Sequence, residues 1–205
     1  MLLLLFHHQV CYSQLEQYNW SSVKNLTTAD GLPSNFTDVL LQDSHGFVWF
    51  VTNNGVVRYD GITMKKYLPE IDDANSFSPD WFSDMIEDKE GNLWIAGNNA
   101  GLYQLNPVTD KIIHYRHQPN NSNSLPDDQI TSIKMDSSGK IWISSFGGLN
   151  CYNKTKNVFT SFFHNDKDST SISHNQIDNG WVRNMLYYFI CFCIETIKSY
   201  RCCQP

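Results

Sequence analysis

The chain has 205 residues, enough for one good-sized domain, with 15 Lys and Arg against 21 Asp and Glu, a net charge of -6 and a pI near 5.5. That balance excludes a nucleic-acid role, because there is no basic stripe to neutralise phosphates. Charged residues reach only 18% and aromatics 14%, a mix that suits aromatic-rich β-structure better than a helical bundle.

The N-terminus reads Met1-Leu2-Leu3-Leu4-Leu5-Phe6, then His7-His8-Gln9-Val10-Cys11-Tyr12-Ser13-Gln14. Residues 1–13 resemble the remnant of a secretory signal peptide, with the small residues Cys11 and Ser13 before the cleavage point. The basic leading region is missing and the apolar run falls short of the usual ~7–15 residues. A start codon assigned too far downstream accounts for the shortfall; the alternative is an ordinary apolar strand. Export is the expectation.

From there a phrase repeats three times: Asp43-Ser44-His45-Gly46-Phe47-Val48-Trp49, Asp88-Lys89-Glu90-Gly91-Asn92-Leu93-Trp94 and Asp136-Ser137-Ser138-Gly139-Lys140-Ile141-Trp142. The tryptophans lie 45 and 48 residues apart, a period that marks stacked supersecondary units. Each unit reads as four short strands. In the first, 37–42 is followed by the Asp43 turn, then 47–52, a turn at Asn53-Asn54-Gly55, 56–60, and a last strand near 64–68. Asp or Asn caps each turn through its side chain, and Gly supplies the positive φ that closes a hairpin. The second unit continues as Leu93-Trp94-Ile95-Ala96-Gly97, Leu102-Tyr103-Gln104-Leu105 and Lys111-Ile112-Ile113-His114-Tyr115. The third continues as Ile141-Trp142-Ile143-Ser144-Ser145, Leu149-Asn150-Cys151-Tyr152 and 157–162. Four antiparallel strands recurring every ~45 residues predict β-propeller blades, near 32–70, 77–117 and 125–164. The repeated tryptophan is read as packing between blades; its burial is worth on the order of 5 kcal/mol as an upper estimate.

A fourth unit starts at 171–177, where Ser171-Ile172-Ser173-His174-Asn175-Gln176-Ile177 matches Ser124-Leu125-Pro126-Asp127-Asp128-Gln129-Ile130 at an offset of 47. The register then fails. Arg183, Leu186 and Phe189 stand where Asp, Gly and Trp are expected, and 178–205 changes composition. One reading is a frameshifted, non-native tail; the other is a genuine terminal segment. Its ten-residue apolar run is half of the ~20 that cross a bilayer. Four of the six cysteines (Cys191, Cys193, Cys202 and Cys203) crowd this tail, and Cys11 and Cys151 stand apart, so neither a disulfide framework nor a metal site is read from them. A three-blade segment does not close a ring in the usual way and is expected to be marginal alone.

These phrases, with the Asn-Gly or Gly-Gly-Leu that follows, resemble the two-component regulator propeller repeat of hybrid sensors in gut Bacteroidetes. Thr28-Ala29-Asp30-Gly31-Leu32-Pro33-Ser34-Asn35 is similar to the segment preceding the first blade there. The resemblance covers 18–177. It implies a periplasmic, glycan-sensing propeller whose parent is a homodimer anchored in the inner membrane, with seven-bladed propellers, an immunoglobulin-like domain, a histidine kinase and often DNA-binding parts. The remaining blades and the kinase would be this segment's partners, an oligosaccharide its ligand. A freestanding propeller-type binding or scaffold module is the alternative.

A propeller glycoside hydrolase is the rival from another class. Its Ser-x-Asp-x-Gly-x-x-Trp box has one residue between Asp and Gly, where all three copies here have two. Arg58, Arg116, Arg183 and Arg201 are the only arginines and form no obvious trio. Asp72-Asp73 and Asp127-Asp128 are adjacent in loops, so their carboxylates should diverge, unlike an acid/base pair. The Asp turns supply one acid each, or two in Asp88-Lys89-Glu90, too few for calcium. His114 and His117, three apart on a strand, point to opposite faces. Sequons at Asn19, Asn25, Asn35, Asn120 and Asn153 are read as a polar surface. No catalytic, cofactor or metal residue is assigned, and the ligand-binding residues are unknown from sequence.

Overall fold

The computed structural model describes residues 24–177 apart from 71, 74 and 75. The signal-like segment 1–13 and the tail 178–205 lie outside the described residues. Twelve strands follow in order: β1 (Thr37–Gln42), β2 (Val48–Thr52), β3 (Gly55–Tyr59), β4 (Met64–Tyr67), β5 (Phe82–Glu87), β6 (Leu93–Gly97), β7 (Gly101–Leu105), β8 (Ile112–Tyr115), β9 (Ile130–Met135), β10 (Ile141–Ser145), β11 (Gly148–Asn153) and β12 (Val158–Phe162). They form three four-stranded sheets, each pairing its strands antiparallel in chain order. These are three propeller blades, as the repeat predicts.

The repeated phrase owes its residue types to a single hydrogen-bonded unit. In each Asp turn one carboxylate oxygen accepts two backbone N–H groups, those of His45 and Phe47, Glu90 and Asn92, or Ser138 and Lys140, at 2.8–3.0 Å. The other oxygen accepts the indole N–H six residues on: Trp49 to Asp43 at 2.8 Å, Trp94 to Asp88 at 2.9 Å and Trp142 to Asp136 at 3.1 Å. The glycine between sits at φ 89°, 80° and 89°, where a side chain would be strained. Asp therefore joins the turn to the buried tryptophan, whose polar N–H would otherwise be stranded in the core.

Apolar side chains on alternate strand positions fill the spaces between blades. Trp49, Val51, Val56 and Tyr67 of the first blade meet Phe82, Leu93, Ile95 and Tyr103 of the second. Trp94, Ala96 and Leu102 meet Ile133, Ile141, Ile143 and Tyr152 of the third. Each tryptophan also stacks on the aromatic that ends its own blade, Trp49 on Tyr67, Trp94 on Tyr115 and Trp142 on Phe162, at 5.8–5.9 Å between centroids.

The innermost strands β1, β5 and β9 lie side by side and are cross-linked by polar groups. Asp38 accepts the Phe82 N–H at 3.2 Å, and Ser83 donates to the Ile130 carbonyl at 2.7 Å. Asp84 collects the Ser132 hydroxyl, the Ile133 N–H and the Lys134 ammonium at 2.7–3.0 Å. Thr131 donates to the Ile177 carbonyl at 2.7 Å, so Ile177 takes the place beside the third blade that Ile130 takes beside the second. Ile172 is buried against Trp142, Leu149 and Cys151.

Candidate functional site

Each blade has two ends. The Asp turns lie at one, linked blade to blade: the Ser44 hydroxyl and N–H both donate to Glu87, and Lys89 donates to the Ser137 carbonyl. The other end gathers the β2–β3, β6–β7 and β10–β11 hairpins and the loops leading into each inner strand. Asn98 N–H donates to the Trp81 carbonyl at 2.8 Å, Gly101 N–H to Asp128 at 2.9 Å, and Phe146 N–H to Gln129 at 3.1 Å. The Asn54 amide donates to the Pro33 carbonyl at 3.4 Å.

These loops are held by a recurrent network. Ser76, Ser124 and Ser171 accept the N–H groups of Glu70, Gln118 and Asn165 at 2.9–3.0 Å. The next residue, Phe77, Leu125 or Ile172, is a buried anchor. The rings of His117 and His164 engage the Leu125 and Ile172 carbonyls at 2.8 and 2.7 Å. Asp128 receives the His117 N–H and grips Arg116 through two guanidinium nitrogens at 3.0 and 2.8 Å. Before the first blade a single-turn 3-10 helix, Thr28–Asp30, is closed by a reciprocal Thr27–Asp30 capping box, and the Thr28 N–H donates to Asn35.

On this ordered frame the position just before the inner strands of the first two blades is an exposed aromatic. Phe36 is 70% exposed and Trp81 57% exposed, at equivalent places on adjacent blades; Gln129 and Gln176 occupy the same place in the next two units. Leu68 and Phe163 are exposed at the outer rim of the same end, while Ile62 and Val108 are exposed at the opposite end. The end with the hairpins and loops is the candidate binding surface.

Asp127 accepts the Gln129 N–H while Asp128 serves Arg116 and His117, so the adjacent carboxylates diverge as expected. Asp72 and Asp73 are exposed. His114 stacks on Tyr103 at 4.0 Å between centroids, while His117 turns to its own loop. Arg58 reaches the Pro107 carbonyl at 3.3 Å and lies over Phe47, joining blades at the far end. Among the described residues no group of three His, Cys, Asp or Glu side chains is placed to hold a metal. Burial raises the Tyr103 hydroxyl, partly offset by its hydrogen bonds with Ser78. Burial likewise raises Asp38, against the Phe82 N–H.

Phe36 and Trp81 were not legible as surface residues beforehand, since exposed and buried aromatics look alike without the fold. Their position one residue before each inner strand is the signal that could have found them.

Two segments, 76–99 and 124–147, match the family profile described as Two component regulator propeller. Over 92 residues the chain is 35% identical to histidine kinase P4 of Formosa agariphila, an alignment covering 40% of this chain and 6% of that protein's length. The fold superposes on the extracellular domain of a protein described as a hybrid two component system of B. thetaiotaomicron, with TM-score 0.64 and 24% identity over 75% of this chain and 21% of the other. A second such domain from that species gives TM-score 0.57 and 22% identity, covering 72% and 19%. These solved structures share the blade architecture. Among the described residues no helix is long and apolar enough to cross a membrane, which says nothing of β-barrels.

Proposed function

From a chain that carries two-component regulator propeller repeats, we infer the ligand-sensing region of a hybrid two-component sensor, exported to the periplasm and answering breakdown products of complex glycans. The observation that carries this reading is the repeat itself, whose matched segments span the second and third Asp turns and their tryptophan strands. The extracellular setting of the two solved domains supports export, and the histidine kinase relative supports a signalling parent. In this reading the chain does no chemistry. Further blades, the kinase and the DNA-binding parts belong to the parent, a membrane-anchored homodimer.

The test is genetic. Replacing the chromosomal gene by one lacking the blade region should abolish induction of one set of glycan-degradation genes on one class of glycan. Unchanged induction on every glycan supplied overturns the sensor reading and favours a freestanding binding module.

A further inference from the structure

We infer that the hairpin-and-loop end of the blades is a binding site for a neutral oligosaccharide, with Trp81 and Phe36 as stacking platforms and the amides of Gln129 and Gln176 as hydroxyl partners. This rests on the sensing reading above and narrows it to a site and a ligand class.

The first ground is geometric. At all four equivalent positions the backbone N–H is taken by a neighbouring side chain: Phe36 by Ser34 at 3.1 Å, Trp81 by Asp80 at 2.8 Å, Gln129 by Asp127 at 2.7 Å and Gln176 by His174 at 3.0 Å. The carbonyls of Trp81 and Gln129 are taken by the hairpins. The backbone N–H is thus fixed at all four positions while the side chains of Phe36, Trp81 and Gln176 are exposed and that of Gln129 is half-buried. Scattered exposed aromatics are ordinary, but these two occupy one structural position on adjacent blades. Their inner strands are joined by the Asp38 to Phe82 hydrogen bond, so the two residues open neighbouring strands at the same end. A flat apolar ring matches the C–H face of a pyranose, and primary amides match its hydroxyls as donor and acceptor together.

The second ground is charge. The loops 32–36, 77–81, 125–129 and 172–176 and the hairpins 53–54, 98–100 and 146–147 contain no lysine or arginine, but do contain Asp80, Asp127 and Asp128. The neighbouring Arg116 is already gripped by Asp128. A uronate or sulfate would meet the carboxylates of Asp80 and Asp127 and a closed Arg116–Asp128 pair, with no available guanidinium, the reverse of the Arg-rich sites that hold anions. The exposed Asn54 and Asn99 on the hairpins extend the uncharged hydrogen-bonding surface.

The experiment titrates the 205-residue chain, by calorimetry and tryptophan fluorescence, with neutral tetrasaccharides of glucan, xylan, mannan and galactan type and with oligogalacturonate and sulfated disaccharides. At least one neutral probe should bind, and Trp81→Ala should weaken it by about tenfold with unchanged near-UV circular dichroism. Phe36→Ala should weaken it several-fold, while Val108→Ser at the opposite end leaves it unchanged. Binding of only the acidic probes overturns the charge argument and leaves the sensing reading standing. Neutral binding that is indifferent to Trp81 and Phe36 overturns the site and again leaves that reading. If no saccharide of either kind binds, the site falls, and the sensing reading stands or falls by the induction experiment.

Discussion

Asp88 holds three hydrogens at once: the N–H groups of Glu90 and Asn92 and the indole N–H of Trp94, and the Asn92 amide adds a further bond. Trp94 is fully buried, so truncating the acid leaves an indole N–H with no acceptor and no water. Asp88→Ala should cost about 3 kcal/mol, and Asp88→Asn, which keeps one acceptor oxygen, about half of that. Urea denaturation read by circular dichroism checks both; equal small losses would show that the indole bond contributes little. The same residue sets a pH dependence. Burial pushes the Asp88 carboxyl up, but the bonds from Trp94 and Asn92, with Lys154 nearby, outweigh it and hold it below the ordinary carboxylate range. Asp136 is held down in the same way, by Ser138, Trp142 and Lys140 against burial. The native state therefore binds fewer protons than the unfolded chain. The stability from these two groups is present in full above the unfolded value near 3.9 and is lost as pH falls through the lower folded values. The urea midpoint should fall below about pH 4, and the doubly substituted Asp88→Asn, Asp136→Asn chain should show a shallower fall.

At the scale of the hairpin the glycines divide into two kinds. Gly46, in the Asp43 turn, has φ 89°, and a Cβ there would meet nothing within 4 Å. Gly55 opens β3 at φ 130°, and a Cβ would lie 2.6 Å from the Tyr67 carbonyl oxygen; Gly148 repeats this, 2.7 Å from that of Phe162. Gly46→Ala should cost about 1 kcal/mol, the backbone term alone. Gly55→Ala should cost at least twice as much, because β4 must also move away from β3. In a chain of this size each kcal/mol lowers Tm by about 2–4 °C, so a thermal scan separates them; equal shifts would mean that β4 yields freely. This contrast also shows what the sequence could disclose. The Asp-x-x-Gly-x-x-Trp spacing is local, so strand order, turn position and the three-blade count were legible. The stacking of Tyr67, Tyr115 and Phe162 on the tryptophans was not, because these aromatics fall 18, 21 and 20 residues after their tryptophans, with no fixed spacing to read. The exposed pair Phe36 and Trp81 was hidden for another reason: only the fold separates them from the core aromatics Phe77 and Phe82, a few residues away.

For the whole molecule, the interior is a series of separate apolar layers, one between each pair of adjacent blades. Ile95 belongs to the layer between the first and second blades, and Ile143 to that between the second and third. In such a stack stability is a sum of blade terms and nearest-neighbour interface terms, so energy lost in one layer is felt in the next only through the shared sheet. Ile95→Val and Ile143→Val should each cost about 1 kcal/mol, and together the sum of the two to within ~0.5 kcal/mol. Ile95→Val combined with Val51→Ala, both in the first layer, should depart from additivity by more than that, because the two cavities share neighbours. Urea unfolding of the five variants, three single or double in the first cycle and two more in the second, completes both cycles. Strong coupling across layers, as large as that within one, would mean that the blades form a single continuous core. The loop end would then respond as a unit to a ligand seated on Trp81, and the blade-by-blade description would have to be abandoned.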